Sequence, residues 1–170
     1  MIRSKKSARR SGRTRTAARS RPVAGNAIEL LKADHAQVKG WFQAFLTARA
    51  QSRKMELAQR IIRALKVHTQ IEEEIFYPAF LRATGEKAIH HEAEVEHNGA
   101  KNLIADIEAS STSDDYYDAK VKVLSEMIQH HVNEEEKRGG MFSQARQSSM
   151  DLRALGEQLA SRKAALMGER

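Results

Sequence analysis

The sequence predicts an all-α protein: an up-down-up-down four-helix bundle with an additional C-terminal helix and a disordered basic N-terminal tail. The first observation is a composition rich in good helix formers, with only two prolines in 170 residues. The second is that apolar residues recur at helical spacing in four segments of roughly 24–28 residues each. The third is that short polar connections separate these segments, as they do between antiparallel neighbours in a bundle.

Positive charge is concentrated at the N-terminus. Nine basic and no acidic residues lie within residues 1–21, whereas the rest of the chain is slightly acidic. We therefore expect three parts: a disordered basic tail over residues 1–24, a bundle over residues 25–145, and a C-terminal helix over residues 146–170 that packs on or extends the bundle. Such a tail allows non-specific contact with nucleic acid or another polyanion through residues 3–21.

Composition also excludes several classes of protein. The chain has no cysteine, so disulfides, thiolate metal sites and iron–sulfur clusters are ruled out. No apolar run approaches the ~20 residues that cross a bilayer, and no secretory signal is visible. We expect a cytoplasmic protein without membrane contact. The alternative is an organelle transit peptide, which the Arg- and Ser-rich tail resembles, although the tail lacks an apolar face.

The first two helices are predicted over residues 26–50 and 53–80. Asn26 is a suitable N-cap for the first, Pro78 can bend or stop the second, and Gly85 is a C-cap candidate. A histidine lies within the apolar stripe of the first helix, which consists of Ile28, Leu31, His35, Val38, Phe42 and Phe45. A histidine and a glutamate interrupt the stripe of the second, which includes Ile61, Ile62, Leu65, His68, Glu72, Ile75 and Phe76.

The remaining helices are predicted over residues 86–109, 114–137 and 149–167, and Ser113 is a cap candidate for the middle one. Another histidine lies on the stripe of the third helix, which consists of Ala93, His97, Ala100, Ile104 and Ile107. The stripe of the fourth helix consists of Tyr117, Val121, Leu124, Ile128, His131 and Glu135. Because His130 falls on a weaker stripe, the pattern favours its neighbour as the inward residue.

One pattern of side chains occurs twice. His68 and Glu72 are four residues apart, as are His131 and Glu135, so each pair shares one helix face. An imidazole and a carboxylate so placed can hold one metal ion or reach two adjacent ions, and this mixture of ligands favours iron or manganese. A buried carboxylate without a partner costs several kcal/mol, so both glutamates require a cation or a proton. With a stripe histidine on each of the other two helices, the sequence predicts a metal site inside the bundle.

Other acidic residues lie close to these positions in the sequence. Asp34 falls off the first stripe, and Glu73 and Glu74 are expected to point away from the core into solvent. Glu136 competes with Glu135 for the inward position on the fourth helix.

The combined pattern resembles the hemerythrin family in its bacterial HHE cation-binding form. The resemblance extends over residues 26–145 and depends on four segments, namely Asp34-His35, His68-x-x-x-Glu72-Glu-Glu-Ile-Phe-Tyr-Pro78, Glu96-His97 and His131-x-x-x-Glu135-Glu136. It implies a four-helix bundle with a non-haem di-iron centre between the helices. By that resemblance the metal ligands are His35, His68, Glu72, His97, His131 and Glu135.

The resemblance also implies that Glu72 and Glu135 bridge two Fe ions, which share an oxo or hydroxo group and leave an open position for dioxygen, nitric oxide or peroxide. The chain departs from the oxygen-carrying members, which have a second third-helix histidine where Ala93 stands. Glu94 or water can take that place, whereas His90 is two turns from the stripe histidine and too far away to share an ion easily. The departure favours sensing, redox chemistry or iron handling over reversible oxygen carriage.

Three alternative hypotheses stay open at this point. A ferritin-like oxidase or iron store uses Glu-x-x-His on two helices, but on the core stripes only Glu94-Val-Glu-His97 fits that motif. A polyanion- or nucleic-acid-associated stress protein would act through the basic tail, with the metal site as its sensor. An interaction module would keep the histidines buried and metal-free. No other catalytic constellation is recognised, so we do not expect an enzyme beyond weak peroxidase or oxidase chemistry at the di-iron centre.

Overall fold

The computed structural model describes residues 25–168, which form helices and no strand. In order, the elements are α1 (Ala27–Thr47), α2 (Gln51–Ile71), a π-helical segment (Glu72–Phe76), α3 (Tyr77–Thr84), α4 (Lys87–Glu108), α5 (Tyr117–Glu136), α6 (Met141–Gln147) and α7 (Leu152–Met167). The predicted all-α class is confirmed. The tail predicted over residues 1–24 lies outside the described residues.

Four long rods make the bundle. α2, the π-helical segment and α3 form one continuous rod, because the residues at both junctions keep right-handed helical dihedral angles. α1 packs against this rod, α4 packs against α5, and α5 closes the bundle against α1. This is the predicted up-down-up-down arrangement. The additional helix α7 packs on the outside, across α1, α2 and the π-helical segment.

Several helix ends follow local sequence signals. Asn26 caps α1, since its side chain accepts the backbone N–H of Glu29 at 3.1 Å and the Glu29 carboxylate accepts the Asn26 N–H at 3.1 Å. Gly85, with a φ of 74°, ends α3 in the left-handed conformation that glycine adopts without strain. Gly139, with a φ of 78°, follows the end of α5. Of the helices in residues 25–168, none is long and apolar enough to cross a bilayer.

Some predicted boundaries are corrected. Ser113 does not cap the fourth bundle helix, because Asp114 accepts the N–H of Tyr116 at 2.9 Å in a turn and α5 begins only at Tyr117. Pro78 does not stop the second rod. The π-helical segment that precedes it has backbone hydrogen bonds between residues five apart, and Pro78 lies where this segment passes into α3. The N–H that proline lacks is therefore at the start of α3 and not in the interior of a helix. The short helix α6 is absent from the sequence-based prediction.

Two hydrophobic clusters fill the bundle and leave a polar layer between them. The larger cluster includes Val38, Phe42, Phe45, Leu57, Ile61, Leu65, Ile104 and Leu124. The second cluster includes Ile28, Leu31, Ile71, Phe76, Phe80, Met141, Phe142 and Leu159. In α1, for example, Asp34 and His35 lie between Leu31 of the second cluster and Val38 of the first. The candidate site is therefore closed by apolar side chains along the bundle axis in both directions.

Candidate metal centre

All the side chains predicted as metal ligands converge in this polar layer. Each has an exposed fraction of 8% or less. They are His35 of α1, His68 of α2, Glu72 of the π-helical segment, His97 of α4, and His131 and Glu135 of α5. His130, by contrast, has a side chain that is 65% exposed, as its weaker stripe predicts. The structure thus brings all these residues together, and their role as ligands stays a prediction.

The four imidazoles form two pairs. His35 Nε2 lies 3.0 Å from His68 Nε2, and His97 Nε2 lies 3.2 Å from His131 Nε2. Each pair directs its Nε2 atoms to the same point, so a cation placed beside either pair would find two nitrogen donors. Imidazole nitrogen is a good ligand for iron, zinc, copper and nickel.

Glu72 connects the two imidazole pairs. Its Oε2 lies 3.2 Å from His68 Nε2 and 3.4 Å from His97 Nε2. The donor atoms of His35, His68 and Glu72 lie within 4.8 Å of one another, and so do those of Glu72, His97 and His131. The two triads share one carboxylate, which is an arrangement suited to two cations with a bridging ligand.

Glu135 connects the same two pairs from α5. Its Oε2 lies 3.5 Å from His35 Nε2 and 3.7 Å from His131 Nε2. Its Oε1 accepts the hydroxyl hydrogen of Tyr77 at 3.1 Å. Each of the two inward carboxylates therefore reaches one imidazole of each pair.

Three buried oxygens of these glutamates have no hydrogen-bond partner among the described residues. They are Oε1 and Oε2 of Glu72 and Oε2 of Glu135. Leaving a carboxylate buried and unpaired costs several kcal/mol, so these oxygens require a cation or a proton. Cations beside the imidazole pairs would give these oxygens partners. A donor set of nitrogen and oxygen without sulfur fits a cation such as iron, manganese or zinc.

Protons balance the charges of the site when no metal is bound. Burial lowers the pKa of His68, but the carboxylates of Glu72 and Asp34 outweigh burial and raise that pKa to about 10. Burial, reinforced by the negative charge of Glu72, raises the pKa of Glu135 to about 8. Burial and the positive charge of His68 lower the pKa of His35 to about 4. At neutral pH, His68 and Glu135 therefore hold protons that a metal would have to displace.

Tyr77 lies in the site, although the stripe of the second helix does not include it. Its hydroxyl is 3.2 Å from His97 Nε2, and its ring stacks on that imidazole with centroids 5.3 Å apart. The N–H of Tyr77 donates to the carbonyl of Glu72 across the π-helical segment, which brings these two residues to one face. In an uninterrupted α-helix, five residues correspond to a rotation of about 140°, which would point Tyr77 elsewhere. Its oxygen can serve as a proton donor to Glu135 or as an additional oxygen ligand.

A second layer of carboxylates surrounds the imidazoles. The Nδ1 atom of each histidine contacts a carboxylate from a neighbouring helix: Glu136 at 2.9 Å from His35, Asp34 at 3.4 Å from His68, Glu73 at 3.1 Å from His97, and Glu96 at 2.7 Å from His131. A carboxylate on Nδ1 holds the imidazole in the tautomer that leaves Nε2 free for a metal, and it also fixes the orientation of the ring.

These four contacts close into a ring around the bundle, which we call the outer carboxylate ring. Each carboxylate is the sequence neighbour of a candidate ligand on its own helix and pairs with the histidine of the next bundle helix, α5 leading back to α1. Each also contacts a basic side chain, in the pairs Asp34–Lys163, Glu73–Lys101, Glu96–His130 and Glu136–Lys32.

The ring corrects several expectations about acidic residues. Asp34 is only 8% exposed, although it lies off the apolar stripe, because it turns sideways toward α2. Glu73 is not simply solvated, because it contacts an imidazole. Glu136 does not compete with Glu135 for the inward position, since it lies on the outer side of the histidines. Glu94 is 49% exposed and contacts the ring of His90 instead of the site.

Two cavities reach the site from different sides. One, of about 310 Å³, lies between α1 and α5 and is lined in part by His35. The other, of about 270 Å³, lies between α4, α5 and the loop after α5, and is lined in part by Ala93, His131 and Glu135. Both are larger than the ~30 Å³ that a water molecule occupies in the liquid, so each can admit a small molecule. The second reaches two candidate ligands past the short side chain of Ala93.

Comparison with known proteins gives a consistent result. The family model of the hemerythrin HHE cation binding domain matches residues 26–138. The crystal structure of a hemerythrin HHE cation binding domain-containing protein from Mycobacterium kansasii aligns with a TM-score of 0.73 and 25% sequence identity, covering 85% of this chain and 88% of that chain. A search of curated proteins finds no match.

Proposed function

Because the chain belongs to the hemerythrin HHE cation-binding domain family, we propose that it is a non-haem di-iron protein that meets small oxidants or diatomic molecules. The two iron ions would be held by His35, His68, Glu72, His97, His131 and Glu135. When bound, they would supply one-electron redox chemistry and an open position for dioxygen, nitric oxide or peroxide. The role would be sensing of such a molecule, its redox conversion or the handling of iron itself.

The shared carboxylate is the observation that supports two ions over one. Glu72 belongs to two triads of donor atoms, one with the α1 and α2 histidines and one with the α4 and α5 histidines. A single ion in either triad would leave the other imidazole pair and the far side of Glu135 without a cation. Two ions would satisfy both pairs and all three unpaired carboxylate oxygens.

Residues of the chain would control protons and water at this centre. Burial and the negative charge of Glu72 raise the pKa of Tyr77 well above its usual value, so the phenol stays protonated and donates a hydrogen bond to Glu135. On the other side, the ring of Phe142 stacks on His35 with centroids 5.8 Å apart, and Phe76 packs edge-on against Phe142. These aromatic rings cover one face of the His35 imidazole and keep water from that face.

The cavity beside Ala93 is the better route for a small ligand. It is lined by both His131 and Glu135, whereas the cavity between α1 and α5 is lined by His35 as its one candidate ligand. A molecule in the Ala93 cavity would therefore lie next to Glu135, whose Oε2 has no hydrogen-bond partner among the described residues. Acidic side chains predominate over the basic Lys137 among the other residues that line this cavity, since Glu92, Glu96 and Glu134 are also present, so this route favours a neutral molecule over an anion.

Metal analysis together with ultraviolet–visible spectroscopy tests this proposal. We expect about two irons per chain, one for each triad, and near-ultraviolet absorption that bleaches with dithionite. The rate at which the bleached absorption returns in air then distinguishes an oxygen carrier, for which the return should be fast and reversible, from a sensor or an oxidase. A protein that holds no iron after loading under anaerobic conditions, or a single zinc with a featureless spectrum, would contradict the proposal.

A second candidate function concerns the basic tail. Nine basic and no acidic residues in residues 1–21 favour contact with nucleic acid or another polyanion, with the metal centre acting as the sensor of a stress protein. This hypothesis predicts retention on DNA that weakens steeply with salt. Deleting residues 1–24 should abolish the retention while the iron content stays unchanged, whereas retention by the shortened protein would exclude the tail as the contact.

A further inference from the structure

The C-terminal helix reaches the candidate metal centre through one side chain. Lys163 of α7 contacts Oδ1 of Asp34, and the other oxygen of Asp34 lies 3.4 Å from His68 Nδ1. A line of three side chains therefore runs from a helix outside the bundle to an imidazole of the site. The match to the family model ends at residue 138, before α7 begins.

Asp34 differs from the other members of the outer carboxylate ring in its burial. Its side chain is 11% exposed, compared with 18%, 26% and 32% for Glu96, Glu136 and Glu73. Charges interact more strongly where water is excluded. Lys163 therefore changes the charge that Asp34 presents to His68 more than the other basic side chains change that of the more exposed carboxylates.

We propose that Lys163 is a positioning residue of the metal centre, which shares the Asp34 carboxylate with His68 and thereby limits the basicity of His68 Nε2. This inference depends on the proposed di-iron function. A carboxylate that accepts the Nδ1 hydrogen makes the imidazole a stronger electron donor to a metal on Nε2. The ammonium of Lys163 draws negative charge away from Asp34 and limits that effect.

Removing Lys163 has a defined electronic consequence. Asp34 would accept more strongly from His68, and one positive charge would be lost close to the centre. Both changes favour the oxidised, more positively charged state of bound iron, so the reduction potential should fall. If Lys163 only fastened α7 to the bundle, its removal would lower stability without moving the potential.

Arg162 provides a matched control on the same helix. Its guanidinium contacts Glu74 with N–O distances of 2.7 and 3.0 Å, and Glu74 is exposed and forms no ion pair with a histidine among the described residues. Arg162→Met therefore removes one positive charge and one attachment of α7, as Lys163→Met does, but it leaves Asp34 untouched. Lys163→Arg keeps the charge and is the conservative variant.

The experiment compares wild type, Lys163→Met, Lys163→Arg and Arg162→Met, each loaded with iron under anaerobic conditions. Iron per chain, thermal unfolding and the reduction potential from a spectroelectrochemical titration are measured. We expect Lys163→Met to keep its iron but shift the potential downward, Lys163→Arg to lie close to wild type, and Arg162→Met to leave the potential unchanged.

Each other outcome has a separate meaning. Equal potentials in Lys163→Met and Arg162→Met would overturn the inference, whatever happens to thermal stability. If Lys163→Met does not fold, Lys163→Gln, which also removes the charge, takes its place: a potential below that of Arg162→Met supports the inference, and equal potentials overturn it. Wild-type protein that takes up no iron would instead refute the proposed function itself.

Discussion

The hydroxyl of Tyr77 donates a hydrogen bond to Oε1 of Glu135 at 3.1 Å, across a separation of 58 residues in the chain. The bond joins the second rod of the bundle to α5 in the middle of the polar layer. It also gives one partner to a carboxylate whose other oxygen has none among residues 25–168. Tyr77 therefore lowers the pKa of Glu135, against the larger opposing effects of burial and of Glu72.

Replacing Tyr77 with Phe should move the pH at which iron is taken up. The hydrogen bond from Tyr77 lowers the pKa of Glu135, so its loss should raise that pKa further and shift uptake to higher pH. The metal-free protein should lose about 1–3 kcal/mol of stability, because a buried acceptor loses its donor. Iron uptake followed across pH and urea denaturation measure the two effects. Tyr116→Phe, at a tyrosine that is 71% exposed, is the control and should change neither.

Adjacent histidines on α5 should respond differently to the same substitution. His131→Ala removes an imidazole from the inner layer and should reduce iron below the wild-type content, since even the loss of a residue that only orients a ligand typically costs 10–100-fold in metal affinity. His130→Ala removes an exposed ring and should leave iron content intact. Metal analysis of the two purified variants is sufficient. Equal iron in both would show that the inward face of α5 is assigned wrongly.

Stability of the metal-free protein should fall as the pH rises from 6.5 to 10. His68 has a pKa of about 10 in the fold against an ordinary value of 6.5, so its stabilising charge is fully present below 6.5 and is lost toward 10. Glu135, with a pKa raised to about 8 from 4.5, acts in the same direction, because its ionised form is disfavoured in the fold. Urea midpoints at pH 6, 8 and 10 measure this change.

The iron-loaded protein is the control for that pH dependence. Iron would replace the protons on His68 and Glu135, so its midpoint should vary much less over the same range. A metal-free midpoint that rises with pH would contradict the proton distribution derived from the site.

Filling the cavity beside Ala93 should slow the arrival of small ligands. Ala93→Leu places a branched side chain in a space of about 270 Å³ that is lined by His131 and Glu135. Iron should stay bound, and stability should change by about 1–3 kcal/mol at most if the new side chain is crowded. Stopped-flow binding of azide or nitric oxide to the iron-loaded protein measures the rate. Ala36→Leu, in the cavity between α1 and α5, should leave the rate unchanged, and the opposite ranking would assign the route to that cavity.

Two glycines should respond in opposite ways to substitution by alanine, because Gly156 of α7 lies against the start of α1 and Gly40 lies in open space. A Cβ on Gly156 would meet the carbonyl oxygen of Gly25 and lie 2.9 Å from the N of Ala27, and backbone atoms cannot move aside easily. Gly156→Ala should therefore cost about 1–3 kcal/mol and loosen α7. Gly40→Ala, with no atom within 4 Å, should instead stabilise α1 by about 0.5–1 kcal/mol. Urea denaturation and limited proteolysis of α7 distinguish these results.

Helical periodicity alone identifies the inward face of each rod. Side chains four residues apart, such as His68 and Glu72, share a face in any α-helix, so their proximity does not depend on which helix packs beside them. The same periodicity separates His131 from His130. This is why the family resemblance and the convergence of the inner residues could both be expected before the fold was known.

The outer layer could not be predicted in this way. Asp34, Glu73, Glu96 and Glu136 lie on the flanks of their helices, and their partners depend on the order in which the helices pack around the axis. Tyr77 was missed for a different reason, because the π-helical segment changes the helical period just before it. No local sequence signal marks that change of hydrogen bonding, and Pro78 suggested a helix end instead.

Because the outer carboxylate ring is closed, its contacts depend on the register of all four rods. If any one rod slid or rotated by a residue, its carboxylate would miss one neighbour and its histidine would miss the carboxylate of another. An error in a single rod thus disrupts contacts at two interfaces at once, and each disrupted contact leaves a buried imidazole without its carboxylate. Only a bundle with all four rods in register avoids this penalty. The residues around the centre that would bind the cations therefore also favour one register of the four rods over the alternatives.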